Sequence, residues 1–199
     1  MFWATISQFT IDQLVFVDES GADLKTGIRK ASWSPVGVTP VLYTPYNRGE
    51  QRVNILPAYT VNGVLVSSVY TGSTNSEGYD YWIENVLLPY CNPYPAPRLV
   101  VVMDNASFHH SAYIGSLFER AGVKLVYLPA YSPDLNPIEE FFGKLKEFIR
   151  RHFVIWKEAP EQWGNSFNSF LSWCVEIVGS KSDSARAHFR YSGYIGRGE

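Results

Sequence analysis

The stretch LPAYSPDLNPIEE, from Leu128 to Glu140, sets three prolines before two adjacent glutamates and leads directly into FFGKLKEFIRR. Each proline fixes its own φ and biases the preceding residue toward extended backbone, so the segment is stiff. Asn136 is a residue type favoured at helix N-caps, and Pro137 suits the first helical position. The pattern predicts a helix from Pro137 to about Phe153 that carries a carboxylate at its start.

The two glutamates fall on different sides of this predicted helix. With Ile138 at the centre of an apolar stripe and a rotation of about 100° per residue, Glu139 lies on the shoulder of the stripe and Glu140 points away from the core. Glu139 is therefore the carboxylate that the stiff segment positions. The spacing Asn136-x-x-Glu139 is also close to a capping box, so a purely structural role for Glu139 stays open.

Positive charge follows Glu139 along the same helix face, at Lys146 and Arg150. Residues 141–157 hold five basic residues and one acidic residue, a net charge of +4, although the whole chain has a formal charge of -2. A basic track beside an acidic site suits a phosphodiester backbone. The alternative is an ordinary solvated helix face.

Two valine-rich apolar runs end in aspartates, QLVFVDES at residues 13–20 and RLVVVMDNAS at 98–107. Such runs are typical of strands buried on both faces, so Asp18 and Asp104 should emerge at the carboxyl ends of strands. Asn62-Gly63 predicts a hairpin over residues 52–72. The other predicted elements are helices over 76–90, 109–122 and 161–178 and a strand over 124–129.

This order of elements predicts an α/β fold with a mixed sheet. If the strands that end at Asp18 and Asp104 are neighbours, both carboxylates meet Glu139 at one sheet edge, where sites of such folds collect. Carboxylate oxygens suit Mg²⁺ or Mn²⁺, and two such ions support phosphoryl transfer. Each aspartate taken alone is also a common turn or capping residue.

The composition, 46% hydrophobic and 16% aromatic, supports a sizeable core. Cys91 and Cys174 show neither disulfide-framework nor zinc-ligand spacing, which favours a reducing, intracellular setting. Neither a secretory signal nor a membrane-spanning run is evident, so no membrane partner is expected. We expect one domain over residues 1–157 and a helical appendage over 158–199 packed on it, with residues 191–199 loosely held.

Three blocks, VFVDES, MDNASFHHS and LPAYSPDLNPIEEFFGKLK, closely resemble those of the Tc1/mariner and IS630 superfamily of DDE transposases and occur in the same order. The 34 residues between Asp104 and Glu139 match the spacing of the DD34E type. The resemblance covers residues 12–155. It implies an RNase H-like fold, with a mixed five-stranded sheet flanked by helices.

The resemblance also implies a catalytic, metal-binding triad of Asp18, Asp104 and Glu139 with two Mg²⁺ or Mn²⁺ ions. Such enzymes hydrolyse DNA at transposon ends and join the freed 3′-hydroxyl to target DNA, usually at TA dinucleotides. Asn105 and His109 match the block after the second aspartate, as groups that support the ligands or approach DNA. Their alternative role is at the N-cap and in the first turn of a helix.

Residues 33–50 occupy the place of a flap that can contact a partner subunit or DNA, which implies a possible homodimer. Members of the superfamily carry an N-terminal helix-turn-helix domain, which is expected to be absent because Asp18 lies so near the start. The implied location is the nucleus of a eukaryote, or the cytoplasm and nucleoid of a bacterium.

Two other functions stay open. The first is a catalytically idle RNase H-like module that binds nucleic acid or protein, as a transposon relic or a host-retained gene. The intact set of three acids argues against it. The second is another Mg²⁺-dependent nuclease, such as an RNA–DNA hybrid hydrolase, against which the proline-rich segment and the 34-residue gap argue.

Overall fold

The predicted α/β architecture with a mixed sheet is confirmed. The computed structural model describes residues 2–27, 34–39, 52–72, 74–105 and 112–195. Its strands are β1 (Leu14–Val17), β2 (Ser20–Ala22), β3 (Val53–Thr60), β4 (Gly63–Thr71), β5 (Val100–Met103) and β6 (Lys124–Tyr127). Its α-helices are α1 (Phe2–Ile6), α2 (Ser76–Trp82), α3 (Ala112–Ala121), α4 (Pro137–Glu158), α5 (Phe167–Gly179) and α6 (Ser182–Tyr191).

The sheet combines a parallel and an antiparallel part. β5 lies between β1 and β6 and is parallel to both. β3 is antiparallel to β4 along one edge and to β1 and β2 along the other. The described residues thus form six strands rather than the predicted five, because Asp18 and Glu19 separate β1 from β2.

Alternate residues of the central strands enter two different cores, which explains their continuous apolar runs. Leu14 and Phe16 point into the core formed with α4, α5 and α6. Val15 and Val17 point into the core formed with α2 and α3. All four side chains are buried, so β1 is held rigidly between two helical layers.

Helix α4 begins at Pro137, as predicted, and continues to Glu158, five residues beyond the predicted end. Its apolar stripe packs into the first core, which confirms the predicted helical phase of the apolar residues. The buried members of the stripe are Ile138, Phe141, Phe142, Leu145, Ile149 and Phe153.

Several predicted boundaries differ. The hairpin is confirmed, but its two-residue loop is Val61-Asn62, and Gly63, with φ of 113°, already pairs with Thr60. The helix predicted over 76–90 is α-helical only to Trp82 and continues as π- and 3-10 turns. The helix predicted from residue 161 begins at Phe167, because a short 3-10 turn there ends at the left-handed Gly164.

The prediction that the C-terminal tail is loosely held was wrong for residues 191–195. Helix α6, which was not predicted, inserts Phe189 against Phe16 with ring centroids 5.4 Å apart. The Tyr194 hydroxyl donates a 2.7 Å hydrogen bond to the Leu135 carbonyl, and Ile195 is buried. Tyr194 thus ties the residues after α6 to the segment that precedes α4.

No described helix combines the length and the apolar character needed to cross a membrane.

Candidate active site

Asp18 and Asp104 emerge side by side from neighbouring parallel strands. Val17 and Met103, the residues immediately before them, are register partners in the β1–β5 ladder. The predicted adjacency of the two strand ends is therefore confirmed. Both aspartates are partly buried, at the edge of the sheet where parallel strands end.

The Asp18 carboxylate is held through both of its oxygens. The Glu19 backbone N–H donates to Oδ1 at 2.7 Å, and Nδ2 of Asn136 donates to Oδ2 at 2.8 Å. One contact comes from the break between β1 and β2, and the other from the N-cap residue of α4. These bonds fix the direction of the carboxylate relative to both elements.

A cavity of 460 Å³ contains the predicted site. Asp18, Asp104 and Glu139 all line it, together with Asn105 and Asn136. Its remaining wall is the proline-rich segment from Leu128 to Pro133. Three acids from separate parts of the chain thus face one space, with Glu139 exposed to solvent in the first turn of α4.

The proline-rich segment runs from β6 over the site to α4. The Leu128 N–H donates to the Met103 carbonyl at 2.8 Å, which ties the start of the segment to the end of β5. The segment then passes through a 3-10 turn over Pro133–Leu135 and reaches Asn136. Its two ends are therefore fixed near Asp104 and Asp18, respectively.

Asn136 occupies the N-cap position of α4, as its residue type predicts. Within the described part of the chain, however, its side chain makes no capping hydrogen bond. The capping box with Glu139 that the spacing left open thus lacks the hydrogen bond that the Asn136 side chain would accept. The amide of Asn136 bonds Asp18 instead, a partner 118 residues away that local sequence patterns do not reveal.

The three carboxylates share a cavity without forming a compact ligand cluster. Among the described residues, no group of three His, Cys, Asp or Glu side chains stands at metal-holding distance. The donor set nevertheless suits a hard divalent cation, since every member contributes carboxylate oxygens. Asn136 also lines the cavity, and its Oδ1 is a buried acceptor with no hydrogen-bond partner in the described structure.

Tyr79 of α2 lies behind the acidic strand ends and was not predicted as part of the site. Its side chain is 1% exposed, and its hydroxyl donates to Met103 Sδ at 3.5 Å. Burial raises the pKa of Tyr79 well above its ordinary value, and the charges of Glu19, Asp104 and Asp18 raise it further. Tyr79 is therefore a neutral hydroxyl at physiological pH.

Glu140 differs from its prediction. Its side chain is partly buried rather than directed to solvent, because the unpredicted α6 packs along this side of α4. His188 of α6 is close enough for the Glu140 charge to act on its pKa. Glu140 does not line the cavity that holds Glu139, so the two neighbours are separated as the helical phase predicts.

The predicted DNA-contact residues lie in different places. Asn105 is exposed and lines the cavity, whereas His109 is outside the described residues. Lys146 is partly buried and Arg150 is exposed, and neither forms an ion pair with a described residue. The flap predicted over residues 33–50 lies outside the described part except for residues 34–39.

The sequence matches that of known mobile-element proteins. Residues 13–159 match the family described as DDE superfamily endonuclease. The Tc3 transposase of Caenorhabditis elegans is 30% identical over 139 residues, which are 69% of this chain and 42% of that protein. The Tcb1 transposase of Caenorhabditis briggsae is 30% identical over 79 residues, 40% of this chain and 29% of that protein. The chain thus spans less than half the length of these relatives.

Solved structures of Mos1 transposase share the fold. The paired-end complex with the left transposon end matches with a TM-score of 0.59 at 18% identity, over 98% of this chain and 59% of that one. The strand transfer complex matches with a TM-score of 0.57 at 17% identity, over 94% and 56%. This likeness confirms the expected RNase H-like fold. The chain belongs to the DDE superfamily endonuclease family and is a homologue of the Tc1/mariner transposases.

Proposed function

We propose that this chain is the catalytic domain of a DD34E-type transposase, which hydrolyses phosphodiester bonds at transposon ends and joins the 3′-hydroxyls to target DNA. The observation that carries the proposal is the shared cavity of Asp18, Asp104 and Glu139 in a chain of the DDE family. The 34-residue interval between the last two acids supports the subtype.

The same three carboxylates would hold Mg²⁺ or Mn²⁺. Mos1 paired-end complexes have been solved with each of these metals. Two divalent ions supply activation of the attacking oxygen and stabilisation of the leaving oxygen in phosphoryl transfer. The carboxylates of this chain fit that requirement because they are hard donors fixed on the sheet edge and on α4.

The chain's own residues orient this site. Glu19 and Asn136 hold the Asp18 carboxylate through hydrogen bonds, so that its oxygens keep one direction. The proline-rich segment limits the backbone states that precede Glu139. Asn105 lines the cavity. We assign to Asn105 and His109 the roles that the resemblance implies, as groups that support the ligands or approach DNA.

DNA is the proposed partner. Mos1 has been solved in complexes with transposon ends. We assign phosphate contacts to Lys146 and Arg150, which extend the basic face of α4 beyond Glu139. We also propose that the chain forms a homodimer and that it divides into a catalytic domain over residues 1–157 and an appendage over 158–199. The core that α4, α5 and α6 share supports an appendage that packs on the same domain.

Cleavage of labelled duplex DNA with Mg²⁺ or Mn²⁺ tests this function. The wild-type chain should nick or cut duplex DNA only with metal, and Asp104→Asn should not. Asp183→Asn, an exposed acid on α6, is the matched control and should retain activity. Preferential cutting of an RNA–DNA hybrid would support the hybrid hydrolase instead. Metal-independent binding without cleavage would support the idle module.

A further inference from the structure

We infer that Asn136 is a positioning residue that sets the Asp18 carboxylate for metal ligation and couples it to the helix that carries Glu139. This inference rests on the proposed function. Its basis is the 2.8 Å hydrogen bond from Asn136 Nδ2 to Asp18 Oδ2. Both residues line the cavity, and Asn136 is 3% exposed.

Chemistry fixes the orientation of this amide. An ionised carboxylate only accepts hydrogen bonds, so the NH₂ group of Asn136 must face Asp18 and the amide oxygen must face elsewhere. That oxygen, Oδ1, is buried and has no partner among the described residues. A buried acceptor left without a partner is destabilising. The hydrogen bond to Asp18 therefore leaves the Asn136 amide oxygen without a partner, which lowers local stability.

The Asn136 side chain also lacks the stabilising capping hydrogen bond that is usual at its position. Asparagine at an N-cap ordinarily accepts a hydrogen bond from the first turn of its helix. Asn75 does this at the start of α2, where its side chain accepts from the Gly78 N–H at 2.9 Å. At the N-cap of α4, the asparagine side chain instead donates a hydrogen bond to Asp18.

The backbone of Asn136 completes the coupling. Its carbonyl accepts a 3.1 Å hydrogen bond from the Glu139 N–H. One residue thus contacts Asp18 through its side chain and the backbone of Glu139 through its carbonyl. Two of the three acids are thereby held in a fixed relation by a residue that need not touch the metal.

The test measures Mn²⁺ affinity by calorimetry, in the presence of a short duplex, and thermal unfolding without metal. Asn136→Ala should weaken Mn²⁺ binding about 10- to 100-fold, the usual effect of losing a group that orients a ligand. Asn136→Ser should weaken it similarly while keeping thermal stability, since serine caps helices well but its oxygen occupies the place of the amide carbon, farther from Asp18. Asn75→Ala, the matched control, should lower stability and leave Mn²⁺ affinity unchanged.

Wild-type Mn²⁺ affinity in both Asn136 variants, together with lost binding in Asp104→Asn, would overturn the positioning role and leave the proposed function standing. An affinity loss in Asn136→Ala that Asn136→Ser fully restores would also overturn it, because the role would then be capping. Failure of the wild-type chain to bind Mn²⁺ with duplex present would overturn both.

Discussion

Val17 and Met103 are register partners in two adjacent parallel strands, and each is followed directly by an aspartate. This pairing brings Asp18 and Asp104 to one edge of the sheet although 86 positions of the chain separate them. Because β1 and β5 are buried between two helical layers, neither aspartate can move away without disturbing a core. The sheet therefore supplies two of the three acids of the proposed site, and α4 supplies the third.

The three acids should be individually essential. Asp18→Asn, Asp104→Asn and Glu139→Gln each remove one charged donor while nearly keeping the side-chain volume, so metal-dependent cleavage of duplex DNA should be abolished. Circular dichroism should show an unchanged fold. Full cleavage activity in any one variant would remove that residue from the proposed triad.

Glu140→Gln should leave cleavage within about twofold of wild type, because Glu140 lies on the α6 side of α4 and does not line the cavity. The measurement is a side-by-side cleavage assay with Glu139→Gln, which changes the same residue type one position earlier. A loss in Glu140→Gln as large as in Glu139→Gln would show that the two glutamates have been assigned to the wrong sides.

His188 should make folding stability depend on pH. Burial lowers the pKa of His188 below its ordinary value of 6.5, with a smaller opposing effect of Glu140 and a lowering effect of Lys144. The unfolded chain then binds a proton more readily than the folded one, so the stabilising effect is complete above pH 6.5 and is lost as pH falls toward the folded pKa.

Urea unfolding between pH 5 and 7 checks this linkage. Wild type should lose more stability on acidification than His188→Gln, which cannot titrate. The glutamine variant starts from a lower stability because the 2.8 Å contact between Tyr59 and His188 is altered, so the comparison is between slopes rather than absolute values. Parallel slopes would contradict the assignment.

Lys146→Ala combined with Arg150→Ala should weaken duplex binding and flatten its salt dependence. Two phosphate contacts release about two counterions, so the slope of log K against log salt should fall by about 1.8. Arg120→Ala, which removes an exposed cation on α3 that pairs with Glu84 at 3.5 Å, is the control and should leave the slope unchanged. An unaltered slope in the double variant would show that Lys146 and Arg150 make no phosphate contacts and belong to an ordinary solvated helix face.

Tyr194→Phe should destabilise the fold by about 1 kcal/mol, because it removes the 2.7 Å hydrogen bond that the Tyr194 hydroxyl donates to the Leu135 carbonyl. For a chain of this size the melting temperature should fall by about 2–4 °C. Tyr191→Phe, at a side chain that is 75% exposed, should have little effect. Equal melting temperatures in both variants would mean that the tail does not hold the segment before α4.

Local patterns predicted the elements that position the site. Valine-rich runs identified β1 and β5, and the apolar spacing after Asn136 identified α4 with its buried stripe. These predictions succeeded because burial on both faces of a strand, or on one face of a helix, leaves a direct trace in the sequence. The resemblance to DDE transposases added the RNase H-like fold and the expectation that these three acids form a catalytic triad.

Long-range contacts left no such trace. Asn136 has the residue type of an N-cap, yet its amide bonds Asp18, and nothing nearby in sequence indicates that partner. The burial of Glu140 depends on α6, whose polar composition concealed its three buried side chains, Ala185, His188 and Phe189. Tyr79 reaches the acidic strand ends from α2 through tertiary packing alone.

Mn²⁺ binding by calorimetry, compared between wild type and Asp104→Asn with a short DNA duplex present, tests the central claim most directly. Asp104 is chosen because it follows a fully buried strand and can be replaced by its isosteric amide with little effect on packing. The account predicts two Mn²⁺ ions per wild-type chain and loss of this binding in the variant. Identical isotherms for the two proteins, or no binding by wild type, would contradict it.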